Sequence, residues 1–305
     1  MIKRLLTVAD INRKELDDMM SLSAKLKAER GKNEYKPLAG KSIAMIFAKS
    51  STRTRVSFDI GIVELGGYPL YLETGKMQVG RGETIGDTAK VMGRYVHGIV
   101  IRTYDHSDVE GLACHSGVPV INALTDDFHP CQALTDLFTM REAVGGKLDG
   151  VKLAYVGDGS CNMANSLILA SKLAGVELTI GAPEQFAPNK AIMKRKLGTG
   201  TVRWETDPYK AVADADFIYT DVWVSMGCED EAEERFNILK PFQVNMDLVK
   251  AAAPGVKILH CLPAHRNEEI TDEVMDSERS IVFDQAENRL HVQKAILAMM
   301  FDPQA

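Results

Sequence analysis

The chain has 305 residues, of which 45% are hydrophobic and 26% charged, and its formal net charge is -6. This composition predicts a soluble, folded protein rather than a disordered one, and no apolar run approaches the ~20 residues of a membrane span. The acidic balance, without a Lys/Arg stripe, argues against nucleic acid as a partner.

At ~150 residues per domain, the length suits two domains. Met1–Leu6 opens like a signal peptide, but Asp10, Asn12 and Arg13 end the apolar stretch too early, so a cytoplasmic location is expected. The five cysteines, Cys114, Cys131, Cys161, Cys228 and Cys261, are scattered and odd in number. That usage fits a reducing compartment and argues against a disulfide framework.

Short apolar runs alternate with longer helical periods. Lys41–Phe47 reads as a buried strand, and Thr52–Leu65 as a helix stopped by Gly66-Gly67. Ile85, Ala89, Met92 and Val96 share one helical face. Gly98–Ile101 and Val118–Ile121 are predicted strands, and Pro130 suits the first position of a helix reaching Ala143. After Gly145-Gly146, further strands are predicted at Lys152–Val156, Val176–Ile180, Val202–Trp204, Phe217–Thr220, Lys257–Leu259 and Ile281–Phe283. This alternation predicts an α/β protein of two domains, each a mostly parallel sheet flanked by helices. The domains are drawn at 1–145 and 146–286, and a C-terminal helix within 287–305 is expected to pack back on the first.

In such sheets ligands sit beyond the C-terminal ends of the strands, and polar clusters follow several predicted strands. The first is Ser51-Thr52-Arg53-Thr54-Arg55. Hydroxyls and free N–H groups at a helix start bind phosphate, and Arg adds forked hydrogen bonds. An ordinary N-cap beside solvated arginines is the plainer alternative. Two arginines in a first turn oppose the helix dipole, and that local conflict favours an anion site. Next comes His129-Pro130-Cys131-Gln132, where a neutral His and an amide can hold a carbonyl oxygen and an NH2 group, or merely start a helix. His129 and Cys131 lack a matching pair at zinc spacing, so no metal is expected.

In Asp221-Val222-Trp223-Val224-Ser225-Met226-Gly227, Asp221 could receive an ammonium group, or simply close a turn. Ser225 and the backbone near Gly227 could meet a carboxylate. His260-Cys261-Leu262-Pro263 suggests a nucleophile, yet strand neighbours face opposite ways and a buried inert Cys remains the alternative. Gly157-Asp158-Gly159-Ser160-Cys161-Asn162 approaches a dinucleotide fingerprint, but Asn162 stands where its last glycine belongs, so no nucleotide cofactor is expected. Asn162 remains available as a polar substrate contact.

Together, in this order and over nearly the whole chain, these clusters resemble the aspartate/ornithine carbamoyltransferase family. S-T-R-T-R and H-P-C-Q match its carbamoyl phosphate domain, assigned to 1–145. D-V-W-V-S-M-G and H-C-L-P match the branch that accepts ornithine, which assigns 146–286 to that substrate. The resemblance implies that the chain transfers a carbamoyl group from carbamoyl phosphate to ornithine, giving citrulline and phosphate in arginine metabolism. It implies no cofactor, because the donor is already activated, and a homotrimer or an assembly of trimers.

Site residues are implied in the same way. Ser51, Thr52, Arg53 and Thr54 would hold the phosphate, with Gln78 from a loop that a neighbouring subunit supplies in the aspartate-accepting branch. Arg102 would touch phosphate and carbonyl, His129 and Gln132 the carbamoyl group, and Arg289 the donor again. Cys261 and Leu262 would lie near the carbamoyl amide and the amine. Asn162, Asp221, Ser225 and Met226 would contact ornithine, and Arg102, His129 and Cys261 would be catalytic. Leu262-Pro263 is the candidate for a cis bond. The chain departs from the family at Cys161, where Asn is frequent, and at Ser50, where Pro is frequent.

Overall fold

A computed structural model describes residues 2–32, 34–74, 83–224 and 229–302. The chain divides into two compact units, Met1–Phe138 with Asn288–Ala305, and Thr139–Glu287. Among the described residues, no helix is long and apolar enough to cross a membrane.

In chain order the first unit holds β1 (Arg4–Leu5), α1 (Arg13–Ala28), β2 (Ser42–Phe47), α2 (Thr52–Glu64), β3 (Tyr68–Glu73), α3 (Ile85–Tyr95), β4 (Gly98–Arg102), α4 (His106–His115) and β5 (Val120–Leu124), and it begins α5 (Pro130–Val144). Its sheet runs β1-β5-β4-β2-β3, with every pairing parallel. Ile43 to Phe47 are all buried, as expected of a strand covered on both faces. Ala44, Ile46, Ile99 and Ile101 pack with Ala89, Val96, Val109 and Leu112 in one core cluster. Gly67 turns the chain from α2 into β3, and a Cβ there would meet Ile62 and Leu38 at 2.9 Å.

β2 has β3 on one side and β4 on the other, which makes its end a topological switch point. Phe47 pairs with Arg102, so the segment leading to Ser51 emerges beside Arg102.

The second unit contains β6 (Lys152–Val156), α6 (Asn162–Ala174), β7 (Glu177–Gly181), α7 (Lys190–Lys194), β8 (Thr201–Glu205), α8 (Pro208–Val212), β9 (Phe217–Thr220), α9 (Ala232–Leu239), α10 (Met246–Lys250), β10 (Lys257–His260) and α11 (Asp272–Met275). Its parallel sheet runs β10-β9-β6-β7-β8. Here the switch point lies between β6 and β9, whose exits carry Gly157–Asn162 and Asp221–Val224. Val156, Ile218 and Ile258 pack with Val244, Leu248 and Val274 in its core.

Two expectations change. Ile281–Phe283 does not form a strand; Val282 opens the last helix, α12 (Val282–Phe301), which begins earlier than 287. Ile281 keeps one backbone bond to Ile258, at 3.1 Å, before the helix starts. A three-residue apolar run is too short to separate strand from buried helix. β5 also sits further along than predicted, at Val120–Leu124 rather than Val118–Ile121.

Candidate active site

Ser51 caps α2: its Oγ accepts the Thr54 N–H at 3.3 Å. The capping reading therefore holds for Ser51, but it does not account for the rest of the box. Thr54 is buried, and its Oγ1 accepts from Arg289 Nη2 at 2.6 Å. The other arm of that guanidinium, Nη1, donates to Gln132 Oε1 at 3.0 Å. Gln132 in turn donates to Asp136 Oδ1 at 2.8 Å. One buried arginine of α12 thus spans the first turns of α2 and α5. Thr52 and Arg53 remain exposed at the helix start, while Arg55 lies 3.7 Å from the centre of the Tyr71 ring.

Arg102 and His129 are buried at the ends of β4 and of the segment entering α5. Burial holds the His129 imidazolium well below its ordinary value, and the positive charges of Arg289 and Arg102 add to this. His129 is accordingly neutral near pH 7. Two buried guanidiniums and the N-terminus of α2 concentrate positive potential at one end of this sheet. Holding like charges out of water is costly, and an incoming anion would offset that cost.

In the second unit, Thr220 of β9 pairs with His260 of β10, which sets Asp221 beside Cys261. The Cys261 thiol donates to Asp221 Oδ1 at 2.8 Å. Burial pushes the Asp221 carboxyl above its ordinary value, opposed by His260 and by the Cys261 and Val222 hydrogen bonds. His260 turns elsewhere. Its Nδ1 accepts from Leu262 N at 2.9 Å, which leaves Nε2 to donate to the fully buried Glu269 at 3.0 Å. Donor atoms of Asp221, His260 and Cys261 nonetheless lie within 4.8 Å of one another, a set of types that a metal ion can use. Leu262 has φ 55, uncommon for a residue with a Cβ, and the Leu262–Pro263 bond is cis.

Asn162 opens α6, capped by Cys161, whose sulfur accepts from Ala164 N and lies 3.1 Å from the Tyr155 hydroxyl. The sulfur thus performs the capping role for which Asn is a usual choice. The structure also brings in residues that the sequence reading missed. Buried Arg235 pairs with Asp158 and donates to the Trp223 carbonyl at 2.7 Å, tying the exits of β6 and β9 together. Its spacing of four from buried Leu239, on the inward face of α9, was the available signal. Glu269 is a second omission, legible only once the chain folds back on His260.

The site residues fall into two groups, Ser51, Thr52, Arg53, Thr54, Arg102, His129, Gln132 and Arg289 in the first unit, and Asn162, Asp221, Cys261 and Leu262 in the second. Gln78, Ser225 and Met226 lie outside the described residues.

Residues 3–142 match the carbamoyl-P binding domain of aspartate/ornithine carbamoyltransferase, and residues 149–300 match its Asp/Orn binding domain. The chain belongs to the aspartate/ornithine carbamoyltransferase family. Its relatives include ornithine carbamoyltransferase of Anoxybacillus flavithermus, 51% identical over 98% of this chain and 96% of the relative. That of Thermococcus kodakarensis is 50% identical over 97% and 95%. Among solved structures, ornithine carbamoyltransferase from Pyrococcus furiosus superposes with a TM-score of 0.93 at 49% identity, covering 98% of this chain and 97% of the other. An anabolic ornithine carbamoyltransferase from Campylobacter jejuni gives 0.92 at 36% identity, covering 99% and 100%.

Proposed function

We propose that this chain transfers the carbamoyl group of carbamoyl phosphate to the side-chain amine of L-ornithine, yielding L-citrulline and phosphate. The observation that carries the reading is the Arg289 bridge between Thr54 and Gln132, beside a neutral His129. It gathers, in one unit, donors for a phosphate and for a carbonyl.

The reaction makes three demands. The phosphate must be held as a leaving group, a role for Ser51, Thr52, Arg53, Thr54 and Arg102 at the helix start. Gln78 joins them by family resemblance alone. The carbonyl oxygen gains charge as the amine attacks, and preorganised donors stabilise that charge. Arg102 and His129 serve here; a neutral imidazole donates without adding a third buried cation. Arg289 and Gln132 fix the carbamoyl group between them.

The third demand is a neutral amine. An alkyl amine with pKa ~10.4 is neutral in only about one molecule in 2,500 at pH 7, a cost of roughly 4–5 kcal/mol. Asp221, joined to the Cys261 thiol, receives the ammonium form and orients it. A desolvated site near cations lowers the amine pKa. The departing phosphate oxygen takes the proton. By family resemblance alone, Leu262 serves the reacting amide, and Asn162, Ser225 and Met226 meet the rest of ornithine.

In this reading the first unit binds carbamoyl phosphate and the second ornithine. The exposed apolar face of α2, with Val56 at 53%, Ile60 at 40% and Val63 at 52% exposure, supports self-association, and the family resemblance makes that assembly a homotrimer. The Campylobacter jejuni relative, named as an anabolic enzyme, supports a place in arginine biosynthesis, and the scattered cysteines support a cytoplasmic location.

The test is a carbamoylation assay that offers ornithine, aspartate, putrescine and acetylornithine side by side. Citrulline should dominate. A preference for another acceptor would refute the ornithine assignment while leaving the donor site intact.

A further inference from the structure

Lys49 stands between the end of β2 and the Ser51 cap, and no step above uses it. Its side chain is 4% exposed. Withdrawing an ammonium from water costs several kcal/mol unless it is paired, so its partners indicate what it does. It pairs with Asp126, which keeps 59% of its own side-chain exposure, and it lies 4.2 Å from the centre of the Tyr104 ring. A surface ion pair would leave both partners hydrated. Here only the carboxylate is, and the ammonium is drawn inwards.

The three residues sit on three strand exits. Lys49 precedes Ser51 at the exit of β2, Tyr104 follows Arg102 at the exit of β4, and Asp126 precedes His129 at the exit of β5. Among the described residues, backbone bonds link neighbouring exits: Ala48 N to the Arg102 carbonyl at 2.8 Å, and Asp126 N to the Tyr104 carbonyl at 2.9 Å. β4 separates β2 from β5 in the sheet. The Lys49 side chain crosses that gap, with the Tyr104 ring beneath it.

We propose that Lys49 is a positioning residue for carbamoyl phosphate, a clamp that fixes the phosphate-binding start of α2 relative to His129. The proposal rests on the donor reading given above. Binding groups on separate loops must keep their spacing, and a displacement of about 1 Å can cost on the order of 100-fold in rate.

The test uses the full-length protein and steady-state rates with both substrates varied. Lys49→Met should raise KM for carbamoyl phosphate about tenfold or more while KM for ornithine stays within about twofold. Lys49→Arg should recover most of the loss, since a guanidinium can keep both the carboxylate and the ring. Asp126→Asn should raise the same KM, and the Lys49→Met/Asp126→Asn double variant should match Lys49→Met alone.

A lowered melting temperature with unchanged carbamoyl phosphate KM would make Lys49 merely structural and overturn the proposal. So would additive effects in the double variant, which would place Lys49 directly on the phosphate. Should Lys49→Met not fold, Asp126→Asn and Tyr104→Leu decide: a rise in carbamoyl phosphate KM for both supports the clamp, and none overturns it. Wild-type protein that forms no citrulline would overturn the underlying reading instead, a distinguishable failure.

Discussion

Arg289 donates to Thr54 and Gln132 from one guanidinium, so truncating it strips two buried acceptors at once. Arg289→Ala should raise KM for carbamoyl phosphate roughly 100-fold, about 2.7 kcal/mol, and alter ornithine dependence far less. Initial rates with each substrate varied in turn check this; a change of only a fewfold would remove Arg289 from the donor site. His129 supports a prediction of a different kind. Its folded pKa is depressed below the ordinary 6.5. Between those two values the unfolded chain binds the proton and the folded chain does not, so stability falls as pH drops below 6.5. His129→Gln should flatten that acid-side slope by up to about 1.4 kcal/mol per pH unit. Denaturant midpoints from pH 7 downwards measure it, and an unchanged slope would contradict the burial argument.

The strand exits decide which polar residues become a site. A Cβ on Gly67 would press on Ile62 and Leu38 at 2.9 Å, so Gly67→Ala should destabilise the first unit by roughly 1–3 kcal/mol, measured by thermal or urea melts. An unaffected melt would show that β3 can shift. Much at this scale was legible from sequence. Runs such as Ile43–Phe47 announce strands buried on both faces, and the polar clusters after them mark the sheet ends. β3 was missed because it is an edge strand, half-buried, with Pro69 inside it. α1 was missed although Asn12 and Glu15 form a capping box, a signal the sequence does carry. Ile281–Phe283 misled because only its neighbours tell strand from helix. The Arg289 bridge and the Arg235–Asp158 pair needed the fold, since each joins residues distant in sequence, and the Glu269–His260 pair needed the loop after β10, which brings residues nine apart together.

On the scale of the whole molecule, an acidic chain of net charge -6 buries Arg102 and Arg289 at the proposed donor site. That contrast is what an anionic substrate requires of its site. The apolar face of α2 makes a claim about assembly. With the proposed homotrimer built on this face, Ile60→Glu should lower the molar mass measured by light scattering towards a monomer, and a mass unchanged by the substitution would move the interface elsewhere.

Following the carbamoyl carbon decides whether the chain makes citrulline. With 13C-labelled carbamoyl phosphate and ornithine, the purified protein should place the label in the ureido carbon of citrulline and release phosphate in equal amount. Phosphate released without label in citrulline, or label carried to a different acceptor, would rule out carbamoyl transfer to ornithine.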